Sequence, residues 1–99
     1  MNVWPISVHP AAMAEAREAR LWYMERSLAA AEAWMSELDH AINVIAEAPD
    51  RWPELPSGRR RYVMQRFPFI LVFRIRTDDV RLLALQHGRR RPGYWKDRE

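Results

Sequence analysis

His87, Arg90 and Tyr94 stand close together near the C-terminal end of a 99-residue chain, and their types suit phosphate chemistry. Histidine and tyrosine can each transfer a proton near neutral pH when their surroundings shift them, and arginine stabilises charge building on a phosphate. The same residues read equally well as structure. His87 closes a β-rich run, where an isolated histidine commonly hydrogen-bonds backbone at a sheet edge. Tyr94 and Trp95, next to Pro92-Gly93, suit a tail that packs back onto the sheet, and Arg89, Arg90 and Arg91 suit a solvated run.

Other chemistries find no support. The chain has no cysteine, which removes disulfides, thiolate nucleophiles and thiolate-bound zinc. His9, His40 and His87 stand far apart and none has metal spacing to a second ligand, so no metal is expected. Gly58, Gly88 and Gly93 make neither a dinucleotide fingerprint nor a P-loop, so no cofactor is expected. No serine lies in a nucleophile elbow, and Asp78-Asp79 is better explained as turn chemistry.

Charge is divided along the chain. Residues 1–50 hold 3 Arg against 8 acidic residues, whereas residues 51–99 hold 13 Arg or Lys against 5, so the halves carry −5 and +8. A basic half draws acidic partners, whether nucleic acid or an acidic protein segment. No stretch approaches the roughly 20 apolar residues of a membrane span, and the N-terminal stretch has no signal-peptide pattern. The expectation is one cytoplasmic domain over residues 1–99, with residues 89–99 as a basic aromatic tail.

The elements that must position these residues follow from pattern. A strand is expected over residues 3–8, then a helix from Pro10, tolerated at a first helical position, to about Arg26. Ser27 should cap a second helix, on which Leu28, Ala31, Met35, Leu38, Ile42 and Ile45 make one apolar stripe ended by Pro49. Pro49, Pro53, Pro56 and Gly58 mark a loop. Strands are expected over residues 61–65, 69–75 and 80–87, separated by a Phe67-Pro68 turn and a Thr77-Asp78-Asp79 hairpin. In the central run Phe69, Leu71, Phe73 and Ile75 face one way and Ile70 and Val72 the other. Two helices cover only one face, so the other is open to a partner or covered by the loop and tail.

The order β-α-α-β-β-β, with Arg60-Arg61, Arg66-Phe67-Pro68-Phe69, the hairpin and His87-Gly88-Arg89-Arg90-Arg91-Pro92-Gly93-Tyr94-Trp95, resembles the RelE/ParE toxins over nearly the whole chain. Phe73 departs from the family, which more often has tyrosine there. The resemblance implies an α+β fold, a helical hairpin on one face of a small antiparallel sheet. It implies the toxin of a type II toxin-antitoxin (plasmid stabilization) module that inhibits growth. A cognate antitoxin with an acidic amphipathic segment would neutralise it in a hetero-oligomer.

ParE-like members poison DNA gyrase by binding, whereas RelE-like members cut messenger RNA on the ribosome. A metal-free ribonuclease must activate the 2′-hydroxyl, stabilise the phosphate charge and protonate the leaving oxygen at one point. Arg61 and Arg90 fall where RelE has basic residues, but Val63 and Ile70 replace a lysine and an arginine. Lys96 falls at the RelE tail tyrosine, with Tyr94 nearby. The resemblance therefore favours a gyrase-binding toxin over an enzyme. A ribosome-dependent endoribonuclease using Arg61, His87, Arg90 and Tyr94 is the alternative, and a non-toxic antitoxin-binding module is a third. Target or antitoxin contacts are expected from Arg61, Arg66, Arg74, Arg76, Arg89, Arg90, Arg91, Tyr94 and Trp95.

Overall fold

The computed structural model describes residues 3–99; Met1 and Asn2, the start of the N-terminal stretch read above, lie outside the described residues. Strand β1 (Ile6–Val8) leads into helix α1 (Pro10–Arg26), then helix α2 (Leu28–Glu47), a short 3-10 turn (Pro49–Arg51) and strands β2 (Arg60–Val63), β3 (Phe69–Ile75) and β4 (Val80–His87). Strand order across the sheet is β1-β4-β3-β2.

Helix starts and stops have local causes. The His9 side chain accepts a hydrogen bond from the Ala11 amide at 3.0 Å, and Pro10 occupies the first helical position. That cap needs a neutral imidazole nitrogen. Desolvation, with Arg81 and Arg98 nearby, outweighs the opposing pull of Glu15 and lowers the His9 pKa, which favours that neutral form. Ser27 alone joins the helices. Its amide donates to the Tyr23 carbonyl at 2.8 Å, and its hydroxyl accepts from the Ala30 amide at 3.2 Å.

The helices bury α2's stripe against the sheet. Ala31, Trp34, Leu38, Ala41, Ile45 and Ala46 are buried, and Met35 and Ile42 are partly so. Leu28 departs from the expected stripe: at the tip of the hairpin it lies beyond the sheet and is 63% exposed. Trp34, outside the expected stripe, is fully buried at the centre, edge-on to Phe69.

The sheet is mixed, not antiparallel. β2, β3 and β4 pair antiparallel, but β1 pairs with β4 in parallel, Ile6 opposite Val80. A parallel pair needs a long crossover, and everything from α1 to β3 supplies it. β1 is shorter than expected because Trp4 donates to the Ala46 carbonyl on α2 instead of to a strand, and Pro5 has no N–H to give. β2 ends early because the amides of Gln65 and Arg66 donate to the Glu37 carboxylate on α2.

Pairing shifts between Val72 and Phe73, which face Ala84 and Leu82, so Leu83 is an extra residue in β4. The bulge switches the phase of β4: Val80 and Leu82 before it and Leu85 after it all join the helix-side core. Ala84 lands on the opposite face with Val72, under Trp95. The tail thus covers the middle of the helix-free face, while Val63 at its edge stays 65% exposed. No helix among the described residues is long and apolar enough to cross a membrane.

Candidate functional site

The chemistry-bearing residues of the tail are organised by a carboxylate that sequence reading did not single out. Glu15 lies on the face of α1 that carries the buried Ala12 and Ala19, and its side chain is only 11% exposed. It accepts a two-pronged bond from Arg98 at 2.9 and 3.1 Å, the Tyr94 hydroxyl at 2.8 Å and the Leu85 amide at 3.0 Å. Burial pushes the Glu15 carboxyl up, but the bonds from Arg98, Tyr94 and Leu85 outweigh that and hold it below its ordinary value. The one signal for it in the sequence is a lone acid at helical spacing among alanines.

This cluster also resolves an edge. β1 pairs with β4 only as far as Leu82, which leaves the outer edge of β4 open past that point. There the Leu85 amide donates to Glu15 and the Leu83 carbonyl accepts from Arg98 at 3.1 Å. Side chains thus replace the missing strand.

Gly93, at φ +83, gives the turn that brings the tail back. Tyr94 and Trp95 follow it. Burial and the neighbouring Glu15 carboxylate push the Tyr94 hydroxyl well above the ordinary tyrosine value. Trp95 is buried on Val72 and Ala84, and its indole N–H donates to the Gln86 side chain at 2.7 Å. Arg90 lies 3.9 Å over the Tyr94 ring and 3.8 Å from Glu15.

His87 ends β4 on the other side of the sheet from Trp95. It is in register with Phe69 and meets that ring edge-on at 5.1 Å, and its Nδ1 accepts the Arg89 amide at 3.0 Å. A groove of about 560 Å³ opens here, with Ala19, Tyr23, Phe69 and Leu85 among its walls and His87, Arg89 and Arg90 along one rim. Arg91 is exposed beyond it.

The remaining expected residues are dispersed. Arg61 is in register with Val72, on the helix-free face, so the sheet separates it from His87. Arg74 shares Arg61's face. Arg66 pairs with Glu37 at 3.0 Å, and Arg76 pairs with Asp79 at 2.6 Å. The Arg76 hydrogen bonds, helped by Ser7, draw Asp79 down to about 2. Of the four residues named for RNA cleavage, the fold joins Arg90 to Tyr94 and places Arg90 on the rim with His87, but leaves Arg61 apart.

A helical hairpin on one face of a four-stranded mixed sheet, with a latched tail, defines a small α+β protein. The family model for the ParE toxin of the type II toxin-antitoxin system, parDE, matches residues 6–92. The chain belongs to the ParE toxin family, in which toxin and antitoxin form one system. Its fold is similar to that of a chain from the chromosomal ParDE TA system from P. aeruginosa, with a TM-score of 0.73 and 16% identity, over 86% of this chain and 96% of that one. No curated protein sequence matches.

Proposed function

We propose that this ParE-family toxin acts in the cytoplasm by holding DNA gyrase rather than by cutting RNA. The observation that carries the reading is the commitment of its acid-base groups. The Tyr94 hydroxyl is spent on Glu15, His87 accepts a backbone amide through Nδ1, and Arg61 lies across the sheet from His87. General acid-base cleavage needs such groups within reach of one scissile phosphate. Binding needs only a complementary surface, which Arg89, Arg90 and Arg91 beside the apolar groove supply. The same groove suits an antitoxin segment that is acidic and amphipathic, with apolar anchors on Tyr23, Phe69 and Leu85 and carboxylates toward the arginines, in a toxin-antitoxin hetero-oligomer.

The test is purified toxin given to programmed ribosomes in one reaction and to gyrase with supercoiled DNA in another. Gyrase inhibition without messenger cleavage is expected. The double change Arg89→Ala with Arg91→Ala should weaken gyrase binding by about 1 to 4 kcal/mol while the melting temperature holds. Messenger cleavage abolished by His87→Ala would overturn the reading in favour of a ribonuclease. Silence in both reactions, with tight antitoxin binding, would leave an interaction module.

A further inference from the structure

The helix-free face of the sheet carries a charged surface that neither the groove nor the tail latch uses. Side chains alternate along a strand, so Arg61 on β2, Arg74 on β3 and Arg81 on β4 share this face. Arg76 joins them through its contact with Ser7 on β1, and Arg59 through the Lys96 and Arg98 carbonyls of the tail. Of these five arginines only Arg76 pairs with a side-chain carboxylate among the described residues. Arg81 reaches a main-chain oxygen of Glu99 at 3.4 Å, and Arg61 and Arg74 make no side-chain hydrogen bond or ion pair there.

The register sharpens the point. Arg74 stands directly opposite Arg81. Like charges facing each other across a strand pair destabilise a sheet. An anion laid across the pair would relieve that repulsion.

We propose that this face binds the phosphodiester backbone of a nucleic acid, with Arg61, Arg74 and Arg81 as the phosphate contacts. Guanidinium forks match phosphate oxygens two to two, and three strands spread them over a surface instead of a line. An acidic protein segment is the weaker fit. Such a segment gains its affinity from several buried apolar anchors, but Val72 and Ala84 are already sealed under Trp95, which leaves Val63 at the edge of this face as a small exposed one. Phosphate contacts position without reading sequence, so binding should be sequence-independent. The inference stands apart from the gyrase reading, and its test contains no gyrase.

The experiment is fluorescence anisotropy of the full chain with a labelled DNA duplex, a single-stranded RNA and a glutamate-rich peptide over a salt series. One of the two nucleic acids should bind more tightly, which names the source of the phosphates. For duplex DNA the logarithm of affinity should fall against the logarithm of salt with a slope of about −3, one unit per contact. Arg61→Gln with Arg74→Gln should lower affinity at least about tenfold at low salt and flatten the slope by about 2. Arg17→Gln with Arg20→Gln removes the same charge from α1 and should leave both unchanged. Arg74→Gln alone should raise the melting temperature of the free protein at low salt, which separates lost binding from misfolding. The proposal is overturned if neither nucleic acid binds, if the peptide binds as tightly as they do, if both double variants weaken binding equally, or if Arg74→Gln lowers the melting temperature.

Discussion

Toward α1 and α2 the sheet is closed by apolar bulk: Trp34, Phe69, Leu71, Phe73, Leu82 and Leu85 interlock around Leu38 and Ile45. On the opposite face the cover is one buried indole on two small residues, Val72 and Ala84, held down by polar bonds from Tyr94, Arg98 and Gln86. Apolar packing is non-directional and tolerates small shifts, whereas a hydrogen-bonded carboxylate works in one geometry and one charge state. The helix side therefore carries stability and the other side a conditional seal, with arginines beside it.

The largest effect is expected on the helix side. Leu38→Asp puts an unpaired carboxylate into the core and should cost more than about 4 kcal/mol, a large share of the stability of a domain this size. Thermal melting followed by circular dichroism should show no cooperative transition. A melting temperature equal to wild type would mean that Leu38 does not face the sheet.

The seal should answer to a smaller change and to pH. Glu15→Ala strips acceptors from Arg98, Tyr94 and the Leu85 amide together and should cost about 2 to 3 kcal/mol, read as a shift in urea midpoint. Because the folded Glu15 carboxyl titrates below its ordinary value of 4.5, its stabilising effect is complete above that value. It fades as pH falls through the lowered folded value. Wild type should therefore lose stability as pH falls below the ordinary carboxylate value of 4.5 more steeply than Glu15→Gln does. Parallel curves would show that the latch carries no charge dependence.

The least effect is expected at the seam between α2 and the turn after β2. Arg66 is 64% exposed in its pair with Glu37, so Arg66→Ala should cost less than about 1 kcal/mol. Glu37→Ala should cost more, because two backbone amides also lose their acceptor. Equal effects in urea melts would show that the exposed pair, and not the amide bonds, holds the seam.

Much of the fold was legible. Pro10, Ser27 and Pro49 bracket both helices through backbone chemistry that acts within a few residues, and the bounds of β3 and β4 follow their apolar runs. The direction of β1 was not, because three residues satisfy an edge equally well either way and only the crossover decides. Nor was the bulge at Leu83. Leu82, Leu83, Ala84 and Leu85 are apolar on both sides, so a phase switch leaves no mark on the pattern. The site was legible as a set of arginines with His87 and Tyr94, and illegible as an arrangement. Glu15 organises it, and the partners of Glu15 lie 70, 79 and 83 residues away along the chain.

Those separations also set an order in time. The α1–α2 and β3–β4 hairpins close short loops, whereas the Glu15 latch closes nearly the whole chain and must wait for everything between its ends. Interactions absent from the folding transition state leave the folding rate alone and govern the rate of unfolding. Glu15→Ala should therefore speed unfolding in a stopped-flow experiment and leave the folding rate unchanged, which would make the lifetime of the sealed face a property of one glutamate.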